Sequence, residues 1–110
     1  MEKVTLEELA VVSMNVILHA GHARDFVFQA VDKASAGEFE EADKLMDEAN
    51  SEIVIAHKAQ TKTLQKEADG IEFPFSPLFA HAQDTMMTVK SEINTLKEII
   101  KLYKTIRGSK

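Results

Sequence analysis

The chain has 110 residues, enough for one domain with a thin core. It carries no cysteine, which excludes disulfides, thiolate metal sites and cysteine nucleophiles. Its net charge of −5, with no basic run, disfavours binding to nucleic acid or anionic lipid.

Only four Gly and two Pro occur, among many Ala, Glu, Lys, Leu and Met. That is helix-forming composition, and no alternating β-branched run stands between turn signals. The fold class is read as all-α, a single domain over 1–110. The opening "MEKVTLEEL" lacks the basic-then-apolar pattern of a secretion signal, and no early apolar stretch is long enough to span a membrane. The expected location is cytoplasmic, with no membrane insertion.

The first helix is predicted over about 5–34. Thr5-Leu6-Glu7-Glu8 is a capping box, with Thr5 as N-cap and Glu8 at the third helical position. A seam follows through Leu6, Leu9, Ser13, Val16, Ala20, Ala23, Val27, Ala30 and Ala34, in steps of three and four. A second stripe carries Ala10, Met14, Ile17, Gly21, Phe28 and Val31. A helix apolar on two sides must be covered on two sides. Gly21 in mid-helix suggests a crowded crossing, where a neighbouring backbone comes close.

Ser35-Ala36-Gly37 breaks the pattern, and a second helix is predicted over about 38–68. Its apolar stripe reads Phe39, Ala42, Leu45, Ala49, Ile53, Ala56 and Leu64, with Glu, Asp, Lys and Gln around it. One stripe and a broad polar face make it the outermost of the three. The break "ADGIEFPFSP" follows. Ser76 suits an N-cap and Pro77 the first helical position, where a missing N–H costs nothing.

The third helix is predicted over about 77–106, with a seam of Phe79, Ala82, Met86, Val89, Ile93, Leu96, Ile100 and Tyr103. Short connections between helices of near 30 residues imply an antiparallel, up-down-up three-helix bundle. A second stripe on the third helix reads Asp84, Thr88, Ser91, Thr95, Ile99, Leu102 and Ile106. Short polar side chains permit close helix approach, and the apolar end needs a cover. With the two-sided first helix, this predicts a homo-oligomer in which the stripe faces copies of itself.

Four histidines carry the chemical options. His81 and Asp84, three apart on a helix, share roughly one face beside the core seam. By spacing alone the pair reads as an ordinary surface or interface pair. His19 and His22 also share a face, either as a metal pair or as two partly buried helix residues. His57, on the charged second helix, reads as solvated, and the five Met as core filler. No Gly-rich phosphate loop, HExxH motif or Ser-His-Asp signature appears.

The segment Ser76 to Thr88, "SPLFAHAQDTMMT", closely resembles the active-site segment of the lactose/cellobiose (also N,N′-diacetylchitobiose) enzyme IIA family. That family belongs to the phosphoenolpyruvate-dependent sugar phosphotransferase system. "AGHAR" (Ala20 to Arg24) is similar to the family's Ala-Gly-x-Ala-Arg, and "GEFEEADKLMDEA" and "AHKAQT" resemble its turn and second helix. The resemblance implies a parallel homotrimer of three-helix subunits. It implies that His81 accepts a phosphoryl group from the histidine-containing phosphocarrier protein and passes it to a cysteine of the cognate enzyme IIB. The transported sugar would be a β-linked disaccharide of the lactose, cellobiose or chitobiose class. It also implies that Asp84 from three subunits shares a structural divalent metal, Mg2+, on the trimer axis.

Under that resemblance, Gln83 is a candidate hydrogen-bond donor to the phosphoryl oxygens. Leu78, Phe75 and Phe79 are either an apolar docking rim or core. Two positions depart from the family pattern: Thr85 stands where a second histidine is frequent, and His22 where an acidic residue is frequent. The competing expectation is a non-catalytic helical interaction or regulatory module. "GEFEEADKL" resembles the turn of a tetratricopeptide-type hairpin, but no 34-residue repeat appears.

Overall fold

The computed structural model describes residues 2–108, and three helices account for most of them. They are α1 (Leu6–Ser35), α2 (Phe39–Ala68) and α3 (Pro77–Gly108). Met1, one of the five methionines read as core filler, lies outside the described residues. Together the helices make an elongated three-helix bundle of 65 × 19 × 18 Å.

Local chemistry sets the helix ends. Before α1, the Thr5 hydroxyl accepts from the Glu8 N–H at 3.0 Å, and the Glu8 carboxylate accepts from the Thr5 N–H at 3.4 Å. This is the reciprocal capping box expected from the sequence. After α1, the Glu38 N–H donates to the Lys33 carbonyl and the Gly37 N–H to the Ala34 carbonyl. That pairing requires left-handed backbone at Gly37, which has φ 83°. The end of α2 repeats the device. Ile71 bonds back to Lys66, Gly70 to Glu67, and Gly70 has φ 88°. Ser76 caps α3, its hydroxyl accepting from the Phe79 N–H at 3.0 Å.

The core runs down the bundle axis and is rich in alanine. Ala20, Ala23, Ala30, Ala49, Ala56 and Ala82 are all fully buried. Small side chains let the helices approach closely, and Val16, Val27, Met86 and Val89 fill the space between them. α1 packs on both other helices, whereas α2 and α3 touch one another least. A second, smaller cluster of Val4, Leu9 and Phe79 closes one end. There the Val4 N–H donates to the Glu72 carbonyl at 2.9 Å. This bond ties the segment before α1 to the connection before α3 and steadies the first turns of α3.

The predicted seam of α1 is buried except at Leu6, which is exposed, and that of α3 except at Leu96 and Tyr103, which are half-buried against the core. The α2 seam keeps Ala42, Ala49, Ile53 and Ala56 of its expected stripe and adds Met46, Gln60 and Thr63. It runs Ala42, Met46, Ala49, Ile53, Ala56, Gln60, Thr63, while Phe39, Leu45 and Leu64 are only half-buried. Packing against α1 sets this register in strict steps of four and three, and two polar residues fall within it. The Thr63 hydroxyl donates to the Ala59 carbonyl at 3.0 Å, but the Gln60 side-chain oxygen is buried without a partner.

Two further expectations are corrected. Within one chain, Gly21 does not sit at a crowded crossing. A Cβ built there meets no atom within 4 Å. The methionines are divided: Met46 and Met86 are core, while Met14 and Met87 are exposed. Within one chain the second stripe of α1 is only partly covered. Ile17 and Val31 pack against the core, whereas Met14 and Phe28 are exposed, along with Val11 and Leu18.

Candidate functional site

α3 carries the candidate site near its capped end. His81 follows Pro77 by four residues, beyond the first turn, and its side chain is exposed beside buried Ala82. The Phe79 anchor in the end cluster and the Ser76 cap hold this stretch of helix in place. An imidazole fixed on a rigid helix and open to solvent can act as a nucleophile toward a docked partner. The helix dipole's support for an anionic group is modest at this depth, since it fades after the first turn.

The other predicted residues are distributed around His81. Asp84 is exposed one turn on and heads the stripe Thr88, Ser91, Thr95, Ile99, Leu102, Ile106, all of it exposed in the single chain. Gln83 is half-buried and lines a cleft of about 430 Å³ with Leu9, Phe73, Phe75 and Phe79. Residues two apart on a helix point different ways. Within one chain, Gln83 therefore faces the cleft rather than His81. The Thr85 hydroxyl donates to the His81 carbonyl at 2.8 Å, a bond back along the helix. Of the apolar trio, Phe79 is core, Leu78 is half-buried, and Phe75 is 89% exposed. Phe75 is thus the member able to present an apolar ring to a partner.

Away from α3, the motif Ala20 to Arg24 has a structural part. The Arg24 Nε–H donates to Glu92 at 2.7 Å, linking α1 to α3. His19 and His22 are joined by a residue that sequence reading missed. The Nδ1 atoms of both rings lie 2.9 Å from Glu52, one on each carboxylate oxygen. An ionised carboxylate only accepts, so each ring donates through its Nδ1–H. Burial pushes the Glu52 carboxyl up, but the hydrogen bonds and charge of His19 and His22 outweigh it and hold the group below its ordinary value. No spacing signal pointed to Glu52, which lies 30 residues along the chain from His22 on a helix otherwise read as solvated. His57 is exposed.

Comparison with known proteins bears on the whole chain. The family model described as the lactose/cellobiose-specific IIA subunit of the PTS system matches residues 11–104. The lactose-specific EIIA component of Streptococcus mutans is 40% identical over 103 residues, spanning 94% of this chain and 97% of that protein. The cellobiose-specific enzyme IIA from Bacillus anthracis superposes with a TM-score of 0.87 at 34% identity, covering 97% of this chain and 96% of that one. The IIA(chitobiose) subunit in the IIA(chitobiose)–HPr complex of Escherichia coli superposes with a TM-score of 0.79 at 31% identity, covering 91% and 97%. The family match extends into all three helices, the His81 segment of α3 included, and the chain belongs to the lactose/cellobiose-specific IIA subunit family of the sugar phosphotransferase system.

Proposed function

We propose that this chain is a phosphoryl carrier whose acceptor is His81. Members of its family are phosphotransfer proteins. The observation that carries the assignment is the placement of His81. It is exposed on a rigid, capped helix, within the segment Ser76 to Thr88 whose residues resemble the family's active-site segment. In the first step the lone pair of a His81 ring nitrogen attacks the phosphorus of the partner's phosphohistidine. A new N–P bond forms as the donor's N–P bond breaks. In the second step a cysteine thiolate of the cognate enzyme IIB takes the phosphoryl group, and His81 returns to its free form. The protein supplies the His81 nucleophile, and the rest of the chain contributes its positioning and exposure.

The histidine-containing phosphocarrier protein is the phosphoryl donor in this reading, and the relative found in complex with HPr supports it. The exposed Phe75 ring supplies apolar contact area beside the site. The sugar belongs to the β-linked disaccharide class.

The subunit is an up-down-up bundle, and three copies assemble in parallel. Two contacts support the topology. The Arg107 guanidinium donates to the Ser35 carbonyl at 3.0 Å, and the Lys104 ammonium lies 2.6 Å from Asp43. These bring the end of α3 beside the end of α1 and the start of α2. The assembly is supported by the exposed stripe from Asp84 to Ile106 and by exposed Val11, Met14 and Leu18 on α1.

Asp84 suits a shared Mg2+ on the axis. Its carboxylate is exposed, and the next residues of the stripe, Thr88 and Ser91, are short enough for close helix approach. Hard oxygen donors match magnesium. The ion would neutralise three carboxylates that otherwise repel. A neighbouring subunit's copy of Gln83 would then supply the hydrogen bond that Gln83 cannot give His81 within one chain. The chain acts in the cytoplasm, and among the described residues no helix is long and apolar enough to cross a membrane.

Incubation with phosphoenolpyruvate, enzyme I and the phosphocarrier should add about 80 Da, acid-labile, to the wild-type chain. His81→Ala should gain nothing. Phosphorylation of that variant would remove His81 from the mechanism.

A further inference from the structure

We propose that His19, His22 and Glu52 form a binding site for a divalent transition-metal ion of the zinc class, clipping α1 to α2. Among the described residues this is the one cluster of three or more potential ligands whose ligand atoms all lie within 4.8 Å of one another. Two imidazoles and one carboxylate form a recurrent three-ligand set for zinc, leaving the fourth position to water. Imidazole also selects zinc, copper or nickel over magnesium and calcium. The site therefore differs in kind from an all-oxygen site at Asp84.

The surroundings fit that use. His19 and Glu52 are mostly covered, with side chains 22% and 19% exposed, while His22 is 48% exposed. An ion can enter from the His22 side and keep a water there. Glu52 pairs with both histidines, one on each carboxylate oxygen. Both carboxylate oxygens and both Nδ1 atoms already converge on one volume, at 2.9 Å in each pair. Tetrahedral zinc, with bonds of about 2.0–2.2 Å, spaces its ligands by roughly 3.3 Å. The histidine–carboxylate pairs open by a few tenths of an ångström from 2.9 Å, and the widest ligand pair, within 4.8 Å, closes by up to about 1.5 Å, through side-chain rotation on two rigid helices. In the metal-free form the Nδ1 protons occupy this volume. When an ion binds at Nδ1, the neutral ring carries its proton on Nε2 instead, so binding switches the tautomer of each histidine.

The test is zinc titration of the full-length chain by calorimetry and equilibrium dialysis, with cobalt as a spectroscopic stand-in. The expected result is one zinc per chain. Cobalt should show the intense visible absorption of a four-coordinate ion with nitrogen ligands. A shared axial site would instead bind one ion per three chains. His19→Ala, His22→Ala and Glu52→Gln should each weaken binding at least about tenfold, while His57→Ala should not. Zinc at a hundredfold excess over Kd should raise the wild-type Tm by on the order of 10 °C and that of Glu52→Gln by about half as much or less. His22→Ala should still accept phosphate at His81, which separates this proposal from the phosphoryl-carrier reading. Absence of a zinc equivalent, or wild-type affinity in His22→Ala and Glu52→Gln, would overturn it. So would binding lost only with His81→Ala or Asp84→Leu.

Discussion

His81 and Glu52 are opposite cases at the scale of single residues. His81 makes its chemistry available by exposure, whereas Glu52 is held by two donors and largely covered. The Glu52 carboxyl lies below its ordinary value despite burial, because His19 and His22 favour the charged form. A depressed carboxylate contributes stability above its unfolded value and loses it as pH falls through the folded one. The contribution is thus present at neutral pH and disappears below about 4.3. Glu52→Gln should lose less stability than wild type over that acid range. Urea unfolding at a series of pH values measures it, and equal acid slopes in the two proteins would count against the linkage. Thr85 adds a residue-scale detail. Its hydroxyl is engaged with the His81 carbonyl, so it braces the helix under the acceptor.

At the scale of elements, the helices are bounded by short-range chemistry. Thr5 satisfies an otherwise orphaned N–H, and Glu8 returns the bond to Thr5. Thr5→Ala should destabilise the protein by about 1 kcal/mol. The readout is a lower urea midpoint with an unchanged slope, at fixed protein concentration. An unchanged midpoint would show that Glu8 and the neighbouring Val4–Glu72 bond hold the end without the cap. α2 depends less on its own sequence. It has no side-chain N-cap bond, and its seam admits Gln60 and Thr63. Its register follows from lying against α1. The capping box, the two glycine turns and the Ser76-Pro77 start were all legible locally. The α2 register was not, because alternative stripes on a long amphipathic helix differ by a small rotation that only the partner's surface resolves.

At the scale of the whole molecule, exposed apolar rows remain on a bundle whose core is otherwise closed. Val11, Met14 and Leu18 on α1 and Ile99, Leu102 and Ile106 on α3 are all exposed in one chain. Assembly of three copies would cover such rows and bring Asp84 to an axis. Sedimentation equilibrium should then return three times the chain mass. Asp84→Leu should abolish the third of a magnesium ion per chain while His81 still accepts phosphate. A monomeric wild-type protein would sink the assembly, and loss of phosphorylation in Asp84→Leu would tie the two residues together functionally.

By itself the sequence determined the three helices, their breaks, the seams of α1 and α3, and the family that the Ser76–Thr88 segment resembles. Each of these depends on residues within a few turns of one another, where capping, glycine φ and apolar period act directly. Only the tertiary structure decided which further α2 residues join the seam, the open space at Gly21 within one chain, the turning of Gln83 away from His81, and the meeting of His19 and His22 with Glu52. Those outcomes depend on how whole helices are turned about their axes. That rotation is set by the summed packing of an alanine-rich core, which no local stretch of sequence records.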